Sequence, residues 1–123
     1  MSGPKLLATL LVASLACAGT ATEEGSGIDG TVLRGPTQPV CTVGAPCDAP
    51  FAALFHVRSG GREVAQFRSD ADGRFTIALP AGDFIIVPDA SAPLMAPTSQ
   101  TRAVRVEPGT IAQVTLDFDT GIR

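Results

Sequence analysis

The stretch that most constrains the fold of this chain is residues 69–87, SDADGRFTIALPAGDFIIV. Asp70, Asp72 and Gly73 form a turn signal, because Asp side chains hydrogen-bond nearby backbone and glycine takes a positive φ at no steric cost. Residues 74–79 then alternate polar and apolar side chains, the period of two that is typical of a half-buried strand. After a second turn, residues 84–87 form another apolar, β-rich run. The stretch predicts a β-meander and carries no chemistry of its own.

Five further segments show the same β pattern, and short turns rich in glycine, proline or acidic residues separate most of them. With the two strands of the meander they make seven, predicted at residues 27–33, 51–58, 63–68, 75–79, 84–87, 103–106 and 111–118. Short strands at this spacing, with no helical period, are typical of a β-sandwich or a barrel. The inward phase of each strand predicts a core that includes Phe55, Phe75, Ile77, Phe84, Val104, Val114 and Leu116; in residues 63–68 we place Ala65 and Phe67 inward, although Val64 favours the opposite phase.

Two longer connections interrupt the strands. Residues 34–50 are proline-rich and contain Cys41 and Cys47. Residues 88–101 are polar, proline-rich and without periodicity, and long loops of this kind often carry function. Within that second loop, Leu94 and Met95 are the candidate ligand contacts.

The chain opens with a segment that is typical of an export signal. A single lysine, Lys5, precedes the apolar run LLATLLVASLACA, which is followed by small residues. That run is shorter than the roughly 20 apolar residues that span a bilayer. We therefore predict a signal peptide over residues 1–18, a polar spacer over 19–26, a domain over 27–119 and a short tail over 120–123.

The site of cleavage has two interpretations. Residues 14–17, SLAC, resemble a bacterial lipobox, in which Cys17 is lipid-modified and the signal ends at residue 16; Ser14 departs from the usual aliphatic residue. Alternatively, residues 16–18, ACA, are a small-residue cleavage site that removes Cys17 with the leader. Under the first interpretation, the chain is attached to a membrane through its lipid anchor. Under the second, the chain is a soluble periplasmic or extracellular protein.

Cysteine parity and charge agree with export. Acylation or cleavage at Cys17 leaves Cys41 and Cys47 as one pair, and exported compartments favour disulfides. The net charge is −3, and loss of Lys5 leaves eight arginines against twelve carboxylates, about −4. An acidic chain of this kind lacks the basic surface of a nucleic-acid-binding protein.

The assembled motifs resemble the carboxypeptidase regulatory-like domain, a transthyretin-like (prealbumin-like) β-sandwich. The resemblance covers about residues 27–118 and is most specific in residues 69–75, in residues 79–82 (LPAG) and in the apolar strand 84–87, where Phe84 replaces the family's usual Tyr. Residues 30–32 (GTV) match the family's first element, and Pro50, Ala53, Phe55 and Val57 match its next strand. The segment with Cys41 and Cys47 lies outside the general pattern.

What the resemblance implies is a seven-stranded antiparallel β-sandwich that acts as a non-catalytic accessory module of an exported protein. We expect a structural or interaction module of the bacterial cell envelope, with an envelope protein or a glycan as the partner. The alternative is a small-ligand or glycan-binding sandwich that uses residues 88–101. Tryptophan and tyrosine are absent, which weakens a glycan site because those residues usually supply the stacking platform.

No residue pattern predicts an enzyme, a cofactor or a metal. His56 is the only histidine, is expected to be exposed or packed beside Leu54, and has no Gly-x-Ser-x-Gly motif to partner it. Asp70 and Asp72 resemble the start of a calcium loop, but the position that needs glutamate is Ala81. Five residues separate Cys41 from Cys47, which suits a disulfide better than a zinc site.

The lipobox interpretation makes a direct prediction. Protein isolated from bacterial membranes should begin at Cys17 and carry acyl chains, and intact-mass measurement checks this. A mature chain that begins at Gly19 without acyl mass would reject the lipid anchor and leave export standing.

Overall fold

The computed structural model describes residues 25–123, so the predicted signal peptide, Cys17 and most of the predicted polar spacer lie outside the described residues. The described part is all-β. The strands are β1 Gly27–Gly35, β2 Ala49–Pro50, β3 Leu54–Ser59, β4 Arg62–Arg68, β5 Arg74–Ala78, β6 Gly82–Pro88, β7 Arg102–Val106 and β8 Ile111–Asp119, with one 3-10 turn, η1, at Pro97–Ser99.

Two sheets pack face to face as a β-sandwich. In the first sheet β1 is central, with β5 and the two-residue β2 pairing with it antiparallel, and β8 also pairing with it. The second sheet has the order β4-β3-β6-β7, with every pair antiparallel. The predicted all-β sandwich is confirmed.

One pairing differs from a purely antiparallel sandwich: β8 runs parallel to β1 from Gly27↔Ile111 to Gly35↔Asp119. Parallel neighbours need a long connection, because the chain must return to the same end of the sheet before the second strand begins. Here the connection contains the whole second sheet. Local periodicity predicts that both strands exist but carries no information on their relative direction.

The seven predicted strands are all present, and the structure adds β2. Ala49 and Pro50 lie opposite Arg34 and Leu33 of β1. A two-residue strand is too short to show alternation, and proline reads as loop in a sequence although it is tolerated on a sheet edge. Residues 51–53, expected at the start of β3, instead precede it.

The core lies between the sheets and includes all six phenylalanines of the chain. Phe67 of β4 stacks on Phe75 of β5 with ring centroids 4.1 Å apart, which joins the two sheets, and it stacks on Phe55 at 5.0 Å. Of the seven predicted core residues, five are buried and two, Ile77 and Val114, are half-buried against the cluster. Phe67 is buried and Val64 is exposed, so the phase chosen for that strand is also confirmed.

A tight turn links β4 to β5 and so sets the position of the phenylalanine stack. Asp70 Oδ1 accepts hydrogen bonds from the backbone N–H groups of Asp72 and Arg74, both at 2.9 Å. Gly73 has φ 74°, and its N–H donates to the Asp70 carbonyl at 2.8 Å. A Cβ at Gly73 would lie 2.5 Å from the Val32 carbonyl oxygen and 2.9 Å from Pro50 Cβ. Glycine is therefore required both by the backbone conformation and by the close approach of β1 and β2.

The substitution Gly73→Val should destabilise the domain by about 2 kcal/mol or more, because it adds left-handed strain and a backbone clash. Chemical denaturation of the wild-type and variant domains measures this loss. Gly60→Val is the matched control: Gly60 also has a positive φ, 59°, but a Cβ there would meet nothing within 4 Å. Equal losses for the two variants would show that the close approach at Gly73 contributes nothing.

Candidate functional site

Three surface features carry the chemistry that the described residues offer: a disulfide-closed loop, a histidine held between two carboxylates, and a groove on the outer face of the second sheet. The disulfide-closed loop follows β1, whereas the histidine and the groove are neighbours on the outer face of the second sheet.

The predicted disulfide is present: Cys41 and Cys47 are bonded, with their Cα atoms 5.6 Å apart. Closing a loop of this length removes about 2 kcal/mol of denatured-state freedom on the chain-entropy model. The disulfide also indicates a non-cytoplasmic environment, because thiols in the cytosol are kept reduced.

Backbone hydrogen bonds hold the base of the disulfide loop. The Thr37 N–H donates to the Cys47 carbonyl at 2.9 Å, across the neck of the loop. At the chain end, Thr120 donates its N–H to the Gly35 carbonyl at 3.0 Å and its hydroxyl to the Pro36 carbonyl at 2.7 Å. These hydrogen bonds hold the backbone at the base of the loop, next to the ends of β1 and β8.

The tip of this loop is apolar and exposed. Ala45 donates its N–H to the Thr42 carbonyl at 3.1 Å, and Gly44 has φ 86°, the sign that type II turns need at their third position. Val43 at the tip is 99% exposed and Val40 is 77% exposed. None of the thirteen residues between Arg34 and Asp48 carries a charge.

His56 lies on the outer face of β3 and contacts two carboxylates. Its Nδ1 is 2.9 Å from Oε1 of Glu63 on β4, and its Nε2 is 2.7 Å from Oδ1 of Asp89, just after β6. A neutral imidazole has one N–H, so only the imidazolium donates to both carboxylates at once. The expectation of an exposed histidine, or one packed beside Leu54, was incomplete: His56 is half-buried and links β4 to the loop after β6.

The two carboxylates and the histidine shift one another's pKa. The hydrogen bond with Asp89 is the main cause that raises the pKa of His56; partial burial opposes it, and Glu63 adds to it. The pKa of Asp89 is held well below its usual range, first by the Ser91 hydroxyl and then by His56. The pKa of Glu63 is lowered chiefly by a hydrogen bond from Gln66.

Although Ser91, Asp89 and His56 are neighbours, they are not arranged as a nucleophilic triad. The Ser91 hydroxyl donates to Asp89 Oδ2 at 2.6 Å, and Asp89 separates it from the imidazole. In a triad the serine contacts the histidine directly, so that the imidazole removes its proton. This grouping escaped sequence reasoning because His56 and Asp89 are 33 residues apart, and no local motif marks them.

The third feature is a groove of about 800 Å³ on the outer face of the second sheet. Its floor is apolar at Ile85, Val87 and Ala103, and Arg58 lies at the edge of that floor, next to Ile85 in the row that crosses β3, β6 and β7. The β3–β4 turn forms one part of its rim, and Thr98 of η1 with Thr101 forms another. The volume is within the range of small-molecule sites.

The loop residues expected to contact a ligand are placed elsewhere. Leu94 packs against the core, and Met95, 47% exposed, lies against Gly121. The part of residues 88–101 that reaches the groove is Thr98 and Thr101. The sequence signal that could have found them is the polar end of an otherwise unpatterned loop, which is too general to single out two threonines.

Within residues 25–123, no group of three or more His, Cys, Asp or Glu side chains is arranged to hold a metal ion. The same part of the chain contains no helix with the length and apolar character needed to cross a membrane. Compared with known proteins, the chain matches no family model and no curated protein.

The His56 cluster should make stability depend on pH. The pKa of His56 is raised in the folded state. The stabilisation that His56 contributes to folding is therefore complete below its unfolded-state pKa of about 6.5, and it is lost as the pH rises through its folded-state pKa. The pKa values of Glu63 and Asp89 are lowered in the folded state, so the stabilisation that these two carboxylates contribute is present at neutral pH. It is lost only in acid, below about pH 4.

Thermal melts of the wild-type and His56→Gln domains between about pH 5 and about pH 9 test this linkage. The wild type should be the more stable near pH 5, and the difference should shrink as the pH rises. Because His56 is the only histidine, its imidazole NMR titration can be followed without ambiguity. A measured pKa at or below 6.5, or a difference that does not change with pH, would contradict the cluster.

Proposed function

We propose that this chain is an exported, non-catalytic interaction module of the bacterial cell envelope, a β-sandwich of the carboxypeptidase regulatory-like kind. In its acylated form it would be a lipoprotein that is attached to the membrane through Cys17. The disulfide supports an oxidising compartment, and the apolar leader supports export.

The observation that carries this proposal is the disulfide-closed loop at residues 36–47. An exposed apolar tip gains free energy when a partner covers it, and a fully exposed valine on a rigid turn is suited to fill a pocket. The disulfide and the hydrogen bonds at its base hold the tip in one conformation before binding. Preorganisation of this kind increases affinity, since less freedom is lost on association.

The chemistry of the tip favours a protein partner with an uncharged, apolar pocket. No lysine or arginine lies between Gly35 and Cys47 to attract anionic lipid, and no aromatic residue is there to stack on a sugar ring. Small aliphatic side chains on a fixed turn instead suit the packed centre of a protein interface.

Photo-crosslinking in the cells that produce the protein tests this surface. A benzoylphenylalanine that replaces Thr42 at the tip should yield one defined adduct. The matched control replaces Arg62, an exposed residue at the opposite β3–β4 turn, and should yield none of it. Both Val43→Asp and the double change Cys41→Ser with Cys47→Ser should weaken the adduct.

The same variants show whether the effect is one of binding or of folding. Val43 is almost fully exposed, so Val43→Asp should change the stability of the free domain by less than about 0.5 kcal/mol. An adduct that persists in Val43→Asp, or equal adducts from positions 42 and 62, would refute the loop as the interaction surface.

A second candidate function, binding of a small ligand, is favoured by the groove on the second sheet. The groove has an apolar floor with polar groups at its rim, which is the usual composition of a ligand site. Its one aromatic lining residue, Phe84, is buried with its ring in the core, so the groove presents no platform for a sugar. Of the two ligand classes expected, the groove therefore favours a small apolar ligand over a glycan.

A further inference from the structure

The two arginines of the groove differ in their partners. Arg105 donates to both oxygens of Asp83, at 3.0 and 3.1 Å, and to Glu107 at 2.9 Å. Its charge is therefore more than balanced by two carboxylates. Arg58, on the other side of the floor, donates one N–H to the Gly61 carbonyl at 2.6 Å.

Among the described residues, Arg58 forms no ion pair within 4.0 Å. Glu63 lies opposite it in the β3–β4 register, but both Glu63 oxygens are engaged, Oε1 by His56 and Oε2 by Gln66. The guanidinium has five N–H donors in a planar fork that matches a carboxylate. Arg58 thus places a cation with unused donors at the edge of an apolar floor.

The floor beside Arg58 is narrow and continuous. Ile85, 39% exposed, lies directly next to Arg58 in the register, and Ala103 follows on β7. Two inter-strand spacings separate β3 from β7, a width of about 10 Å. An alkyl chain can therefore lie along this row with one end at Arg58.

We propose that the groove binds a single-chain alkyl carboxylate, with the carboxylate on Arg58 and the alkyl chain along Ile85, Val87 and Ala103. Charge complementarity selects the head group, because Arg58 is the arginine of the groove that forms no ion pair within 4.0 Å with a described carboxylate, although the charge of Glu63 acts on it from the neighbouring strand. The apolar row selects the tail. This inference rests on the second candidate function and is independent of Cys17 and of the disulfide loop.

Fluorescence titration with dansyl-undecanoic acid, compared with its uncharged methyl ester, tests the proposal on the mature domain. The acid should bind saturably, and the ester should bind about tenfold more weakly or worse, the loss expected for one charge-assisted hydrogen-bonded pair. Arg58→Gln should weaken the acid by a similar factor and leave the ester nearly unchanged, and Arg58→Lys should restore part of the affinity.

Two further variants test whether the alkyl chain also contributes to binding and whether the effect at Arg58 is more than a general effect of positive charge. Ile85→Asp, on the solvent face of β6, should abolish binding of both probes. Arg68→Gln is the matched control, because Arg68 is an exposed arginine on the same sheet that does not line the groove. Circular dichroism melts should show that all four variants remain folded.

Several outcomes would overturn the proposal: no saturable binding of the acid, equal binding of the acid and the ester, or equal effects of Arg58→Gln and Arg68→Gln. Binding to phosphatidylglycerol vesicles without binding of the free acid would assign the groove to a membrane surface instead. Crosslinking through the disulfide loop is a separate measurement, so failure of the ligand leaves the interaction module untouched.

Discussion

The stack of Phe55, Phe67 and Phe75 is the contact on which the rest of this sandwich depends. Phe55 and Phe67 face each other across the β3–β4 pair, and Phe67 reaches the first sheet through Phe75. Aromatic side chains bury large areas and gain further energy from stacking, so three rings in sequence supply much of the attraction between the sheets. The buried Ser69 links the end of β4 to the segment before β3. Its hydroxyl donates to the Phe51 carbonyl at 2.8 Å and accepts from the Ala53 N–H at 3.0 Å.

The outer surface follows from this inner packing. Because side chains alternate along a strand, burial of Phe55 and Val57 directs His56 and Arg58 to the opposite face of β3. On that face the charges have separate tasks. His56 contacts Glu63 and Asp89 and so links β4 to the loop after β6. Arg58, in contrast, has guanidinium N–H groups that form no ion pair with a described carboxylate. One strand thus supplies a structural cation and a binding cation two residues apart.

The disulfide loop and the groove are two different surfaces through which this β-sandwich can recognise another molecule. The loop protrudes, is uncharged and suits a pocket on a protein, while the groove is concave and combines an apolar floor with one available cation. They share no residues. A module with both could bind a protein and a small amphiphile at the same time, and nothing in the packing of the described residues couples the two surfaces.

Local sequence determined the seven predicted strands and the turns between them, because each of these depends on neighbours in the chain, whereas the short β2 left no local signal. Alternation placed Phe75 and Phe84 in the core, and the segment from Asp70 to Gly73 has the residues that a tight turn requires. The expected removal of Cys17 from the count left Cys41 and Cys47 as the pair, and they are bonded. The tertiary structure alone decided the parallel pairing of β8 with β1, since strand direction depends on how the whole chain returns. It also decided both polar sites. Asp89 reaches His56, 33 positions away, and Ile85 lies beside Arg58, 27 positions away (85 − 58), only because β3 and β6 pair within the second sheet.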